Sequence, residues 1–409
     1  MPIPRNFTRF LPLLAFAVVA GCADAPRALS VEELPSPGGD GAVEPFVSVA
    51  PDGRVHLSWL ERAADSTATV YVASLDATTK TWSTPKVVVS RKDLFVNWAD
   101  FPSVVPLADG RLLAHWLQRN GAGRYAYDVV MSESRDGGDT WSATSLPHPA
   151  NVQAEHGFAA ILPLAGGGAQ VSLLDGSAGA SIADEKLRAM QLGWATWSDG
   201  GIASRAIVDE KVCDCCQTAM AMTTQGPLIV YRDRSDDDIR DMSVVRQING
   251  AWTAPKSLHD DGWKIDFCPV NGPAVSAVAD TVAIVWFTAA DSTPRVHATF
   301  STDGGATFAP PVRVDSGAPS GRVDIEMLDG GAALVTWLQK KSGQEAEVMA
   351  RVVRRDGTLE PPLVVSPTSG ARSSGFPRMA RTSDGVVLAW VVPGMTGSLR
   401  VASIRVAGK

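Results

Sequence analysis

Helical periodicity is missing from this chain: no amphipathic pattern persists beyond two turns after residue 22, so a helical architecture is excluded. Basic runs are missing as well, and the net charge is −7. Phosphate binding needs concentrated Lys and Arg, which excludes nucleic acid as the main partner. The N-terminal apolar run, residues 10–20, has 11 residues, about half of what a spanning helix requires. Tyrosine is scarce, with four in all (Tyr71, Tyr125, Tyr127 and Tyr231), and there are five cysteines. What remains is an ordinary globular composition, 45% hydrophobic and 20% charged, with 12 Trp that fall mostly at repeating positions.

Those positions define the architecture. A strand of the type small-apolar-apolar-Trp recurs around Trp59, Trp116, Leu173, Tyr231, Trp286, Trp337 and Trp390, at intervals of 51 to 58 residues. An apolar segment and a tight turn precede each, as in PFVSVAPDG and GFAAILPLAGG. An alternating strand such as YDVVMSES follows, then an outer strand opening on an aromatic, as in WSTPKVVV. Four strands per unit make one blade of an all-β propeller. The count predicts seven blades, with six as the alternative, in a single domain over residues 45–409. The seventh unit stops after its third strand, so residues 28–33 are expected to supply the missing outer strand and close the ring. Residues 181–190 read as an excursion from blade 3.

Two turns carry a resemblance. Ser134-Arg135-Asp136-Gly137-Gly138-Asp139-Thr140-Trp141 and Ser301-Thr302-Asp303-Gly304-Gly305-Ala306-Thr307-Phe308 resemble the Asp-box, S-x-D-x-G-x-T-[WF], of sialidases and other propellers. The Asp accepts backbone N–H bonds across the turn and the aromatic plugs the base of the hairpin. Period and Asp-boxes together make the chain similar to the sialidase (BNR-repeat) superfamily over nearly the whole region past the N-terminus. That resemblance implies three arginines on a substrate carboxylate, a Tyr nucleophile assisted by Glu, and an Asp acid/base. The first arginine belongs to an (F/Y)-R-I-P motif, and the matching segment here, Pro45-Phe46-Val47-Ser48, has none. No Tyr matches the nucleophile by motif, so the resemblance carries the architecture and leaves catalysis open.

The N-terminus reads as an export signal. Arg5 and Arg9 precede the apolar run, and Val19-Ala20-Gly21-Cys22 resembles a bacterial lipobox. By that resemblance residues 1–21 are removed, Cys22 is lipidated, and residues 22–44 hold the tether and the closing strand. Ala23 lacks the acidic character associated with inner-membrane retention, which points to outer-membrane anchoring, facing the periplasm or the cell surface.

Candidate functional residues sit in the loops that lead into the innermost strands. These are Trp98 and Asp100 before blade 2, Glu155 and His156 before blade 3, Cys213, Asp214, Cys215, Cys216 and Gln217 before blade 4, and Cys268 and Asn271 before blade 5. The loop after Tyr231 adds Arg232, Asp233, Arg234 and Asp236, where an arginine held by an aspartate suits a carboxylate. Asp100, His156, Arg232 and Asp236 are the catalytic candidates. Trp98, Asp100, His156, Gln217, Arg232, Arg234 and Asn271 are the binding candidates. The four cysteines read as disulfides, with a bridge from Cys268 to Cys215 or Cys216 pinning blades 4 and 5, as a soft-metal site for copper or zinc with His156 or His259, or as a free reactive thiol. No cofactor is required.

Three classes of function follow. The favoured one, because it needs nothing the chain lacks, is an anchored monomeric propeller binding a glycan, peptide or protein on its Cys-bearing face. The others are a glycoside hydrolase of exo-sialidase type with displaced catalytic groups, and a metal or redox module built on the cysteines.

Overall fold

The computed structural model describes residues 1–2, 29–182, 188–394 and 398–406. Cys22 and residues 183–187 of the 181–190 excursion lie outside them. Apart from short 3-10 turns, every regular element among the described residues is a strand.

Seven antiparallel sheets form a seven-bladed propeller. Blade 1 holds Val43–Val49, Val55–Arg62, Ala68–Asp76 and a broken outer strand, Thr81–Trp82 with Lys86–Arg91. Blade 2 holds Ser103–Pro106, Leu112–Arg119 and Tyr127–Ser134. Its fourth strand shrinks to a bridge between Met131 and Ser145, because Pro147 and Pro149 cannot donate to a ladder. Blade 3 consists of His156–Pro163, Ala169–Asp175, Met190–Ser198 and Gly201–Val212. Blade 4 contains Ala219–Thr223, Gly226–Arg232, Met242–Ile248 and an outer pair, Ala251–Trp252 with Lys256–His259. Blade 5 runs through Ala274–Val278, Thr281–Thr288, Arg295–Ser301 and Val312–Arg313, and blade 6 through Pro319–Met327, Ala333–Lys340, Glu345–Val353 and Leu363–Ser369. Blade 7 takes Arg378–Thr382, Gly385–Val391 and Leu399–Val406 from the C-terminus, and Leu29–Leu34 from the N-terminus.

The Trp-type strands are second in each blade and buried on both faces, which is why they read as continuous apolar runs. Each hydrophobic cluster joins two adjacent blades. Trp59 and Leu57 meet Val387 and Ala389 between blades 1 and 7, and Trp286 meets Val230 and Val244 between blades 5 and 4. The closing strand pairs Leu29 with Val406 through Leu34 with Val401, one residue along from the predicted span.

The two Asp-boxes are near copies. Asp136 Oδ1 accepts the Thr140 N–H at 2.9 Å, and Asp303 Oδ1 accepts the Thr307 N–H at 2.9 Å. The threonine hydroxyls donate to the other carboxylate oxygen at 2.6 Å in both. These bonds, the hydroxyl donation first, lower both carboxyls to about 2. Both boxes follow third strands and lie on the lower face; the loops into the innermost strands gather on the upper one.

Candidate functional site

The upper-face loops of blades 2 and 3 share one polar network. Asp100 is 2% exposed, accepting the Phe158 N–H at 2.8 Å on one oxygen and facing the Tyr127 hydroxyl at 3.0 Å with the other. The same hydroxyl lies 3.1 Å from Glu155. A phenol has one proton for two carboxyl groups, so one carboxyl must keep its own and donate to the phenol oxygen. Burial drives both upward, Asp100 to about 7 and Glu155 to about 8, while bonds from Phe158 and Tyr127 hold Asp100 back. Gly157 leaves the room for this, since a Cβ there would lie 2.0 Å from Asp100 Oδ2.

His156 is fully buried beneath these groups. Its Nδ1 faces the Tyr127 carbonyl at 3.2 Å and Asp128 at 3.5 Å, and its Nε2 faces Ser177 Oγ at 3.0 Å and Asp175 at 3.5 Å. Burial opposes the imidazolium, yet the two carboxylates together raise it to about 9. His148 stacks on its ring at 3.8 Å and is depressed to about 4, by burial first and then by the neighbouring charge.

Asp128, His148 and His156 bring ligand-type atoms within 4.8 Å of one another, as do Cys213, Cys215 and Cys216, so both groups have the spacing to hold a metal. The histidine group is the poorer one. His148 Nε2 accepts the Val129 N–H at 3.1 Å and Nδ1 faces the Pro149 carbonyl at 3.2 Å, so no ring lone pair is left. Neither His156 nor His259, which faces Asp261 at 3.0 Å, joins the thiols.

The expected disulfides are not formed: all four cysteines are free thiols. Cys213 Sγ and Cys216 Sγ stand 3.1 Å apart, and Arg240 donates to Cys213 Sγ at 3.5 Å. Burial opposes ionisation of Cys213, but hydrogen bonds from its two neighbours and the charges of Arg232 and Arg240 hold it well below the ordinary thiol range. Cys215 and Cys216 are pushed up, by burial first. Cys268 is exposed and lowered, chiefly by a bond with Cys215.

Several expected binding residues instead hold loops together. Arg232 is 1% exposed, and its guanidinium donates to the carbonyls of Asn271 at 2.8 and 3.0 Å, Arg240 at 2.6 Å and Phe287 at 2.7 Å. A ligand carboxylate has no approach to it. Arg234 is held by Asp214 and Asp238, rather than by Asp233 or Asp236. Asp236 is almost fully exposed and pairs with Lys211 at 2.7 Å. Gln217 donates to the Ala99 carbonyl and accepts the Gly272 N–H at 2.9 Å. Asn271 accepts the Arg322 N–H at 2.7 Å. Trp98 stacks on Phe376 at 5.8 Å beneath the Arg322 guanidinium.

Beside this belt lies an open groove of about 840 Å³, lined by Arg124, Tyr125, Glu155, Asp214, Arg234, Phe267 and Cys268 among others. Tyr125 and Phe267 are the only large aromatic side chains strongly exposed among the described residues, and both line it. The signal that could have found them is an aromatic outside the repeat positions. The central channel forms a second cavity, about 460 Å³, lined by Asp100, Asp324, Glu326 and Arg378 with Phe46 and Phe101.

A seven-bladed ring of four-stranded units with Asp-boxes on its lower face defines a sialidase-like β-propeller. The chain belongs to the BNR repeat-like domain family, whose model matches residues 53–389. Among solved structures, a protein of unknown function from Dyadobacter fermentans is similar at 15% identity, covering 92% of this chain and 99% of that one with a TM-score of 0.53. The endosialidase of phage phi92 is similar at 8% identity over 94% of this chain and 70% of its own, with a TM-score of 0.51. Likeness at this level shows the fold. No similar sequence is found among curated proteins.

Proposed function

We propose that the protein is an extracytoplasmic lipoprotein, anchored in the outer membrane through Cys22, whose monomeric propeller binds a glycan or protein ligand in the upper-face groove. The observation that carries this reading is the placement of Tyr125 and Phe267 together in that groove. Flat apolar faces with polar edges suit aromatic stacking, and the neighbouring Arg124, with the end of Arg234 not taken by Asp214 and Asp238, supplies hydrogen-bond donors. The closing strand supports the anchoring. Leu29 pairs with Val406, at the lower end of blade 7, so the chain leaves the propeller on the Asp-box face. Residues 23–28 reach about 20 Å when extended, which holds the lower face near the lipid and turns the groove away from it.

Two results test this. A Cys22→Ser protein is expected in the soluble extracytoplasmic fraction; continued membrane association through an acyl chain contradicts the anchor. Tyr125→Ala and Phe267→Ala are expected to weaken binding to a glycan and peptide panel by about thirtyfold each, near 2 kcal/mol, with an unchanged melting temperature. Unaltered binding in the double variant contradicts the groove.

A second reading, glycoside hydrolysis with displaced catalytic groups, is favoured by one observation. Glu155, which keeps its proton to about pH 8, lines the same groove as Asp214, whose carboxyl burial also pushes up against the pull of Arg234. Sialoside hydrolysis lost on Glu155→Gln would promote it. Tyr127 is not available to such a reaction, being fully buried against Asp100 and Glu155.

A further inference from the structure

Three of the four described cysteines lie on one turn, Cys213 to Cys216, just before the innermost strand of blade 4, and their sulfurs fall within 4.8 Å of one another. The turn is fixed from behind, where the Cys213 N–H donates to the Arg232 carbonyl at 3.1 Å. Asp214, between the sulfurs in sequence, is held by guanidinium groups, at 3.1 Å by Arg234 and at 3.4 Å by Arg240, and is not among the atoms grouped with the sulfurs. No imidazole or carboxylate joins the cluster among the described residues, so its ligand set is sulfur alone. An all-sulfur set selects soft cations over hard ones, and three buried sulfurs, with the exposed Cys268 bonded to Cys215 but outside their group, suit a three-coordinate ion better than tetrahedral zinc. Arg240, 3.5 Å from Cys213 Sγ and nearly fully buried, places positive charge where thiolates need it. Two further sulfur side chains, Met190 and Cys268, line the adjoining groove and offer a soft ion a route from solvent.

We propose that Cys213, Cys215 and Cys216 form a three-thiolate site for a monovalent copper ion, reached from the groove past Cys268. Binding replaces the thiol protons, which pass to solvent, with three Cu–S bonds. Copper arrives and remains as Cu⁺, so no electron is transferred. The site does not involve Tyr125 or Phe267, and its failure would leave the groove reading intact.

The test uses the chain from Ala23 onward, purified reduced and without oxygen, and given Cu⁺ as its acetonitrile complex against a chromophoric Cu⁺ chelator. One copper per chain is expected after gel filtration, retained in Cys268→Ser. Retention should fall at least about tenfold in Cys213→Ser and Cys216→Ser with unchanged circular dichroism. Should those buried substitutions fail to fold, X-ray absorption at the copper edge of the unmodified protein is expected to show three sulfur neighbours and no nitrogen. Zinc bound in preference to copper and lost in Cys268→Ser would overturn the proposal in favour of a four-cysteine zinc site. So would the absence of titratable thiols in protein isolated from the periplasm and denatured without reductant, or four free thiols that retain no copper.

Discussion

Deleting residues 29–34 is expected to abolish cooperative folding of the propeller rather than shorten it by one strand. Six register pairs join Leu29–Leu34 to Leu399–Val406, and a net contribution near 1 kcal/mol for each hydrogen bond makes the loss several kcal/mol, a large part of a domain's whole stability. Side chains add to this. Leu34 belongs to the cluster between blades 7 and 1, Glu32 pairs with Lys80 of blade 1, and Trp82 Nε1 donates to the Pro35 carbonyl at 2.8 Å. The strand therefore holds the first blade as well as the last. Without it the strand Leu399–Val406 presents an unpaired edge, which templates association with other chains. Thermal melting and gel filtration of the truncated protein should show a lost or strongly lowered transition and aggregation. A monomer with an unshifted transition would contradict the closure.

Stability is expected to fall as pH rises from 6.5 to 9. His56, His115 and His148, all depressed to about 4 by burial, are neutral in the folded chain, and because an unfolded imidazole is half protonated at about 6.5 they add a small opposing slope that fades by about pH 7.5. Asp100, Glu155 and Glu326, raised to about 7, 8 and 8 by burial, keep protons in the folded state that the unfolded chain has already released. His156, raised to about 9, does the same. Cys213 and Cys268, whose thiols are lowered, oppose this as pH nears the ordinary thiol range, but the groups raised by burial outnumber them, and each proton held only by the folded state costs about 1.4 kcal/mol of stability per pH unit until that group itself titrates. Both Asp100 and Glu326 border the channel, but Glu326 is only half-buried, so the buried Asp100 is the cleaner probe. Its raised value means a stabilisation present below pH 4 and lost as pH climbs through 7. Asp100→Asn removes that loss and, with the Asp100 charge gone, eases the upward push on Glu155 and Glu44, which acts in the same direction. The stability of the variant relative to the unmodified protein should rise by on the order of 4 kcal/mol between pH 4 and 7.5 in urea unfolding. A constant difference would show that Asp100 is ionised throughout.

The blade count was legible because propeller packing demands the same thing seven times. A second strand covered on both faces takes a large apolar residue at one position, and Trp59, Trp116, Trp286, Trp337 and Trp390 mark it. The closing strand was legible by subtraction, since blade 7 lacked one. Residue roles on the upper face were far less so. A polar side chain on a loop reads alike whether it meets solvent or a neighbouring blade, and the partners are remote in sequence: Arg232 donates to a carbonyl 39 residues away and Gln217 to one 118 away. His156, Asn271 and Trp98 were drawn inward for the same reason. Tyr125 and Phe267 stand outside the repeat positions, which separates them from blade core, but nothing in the local sequence tells an exposed aromatic from a loop plug.

The central claim is that ligand sits in the groove between the upper-face loops of blades 2 to 5. Its most direct test is a crystal structure of the propeller soaked with whichever oligosaccharide or peptide binds in the panel. Density is expected against the rings of Tyr125 and Phe267, within reach of Arg124 and Arg234. Density in the central channel beside Arg378, or on the lower face against the Asp-boxes, would contradict it.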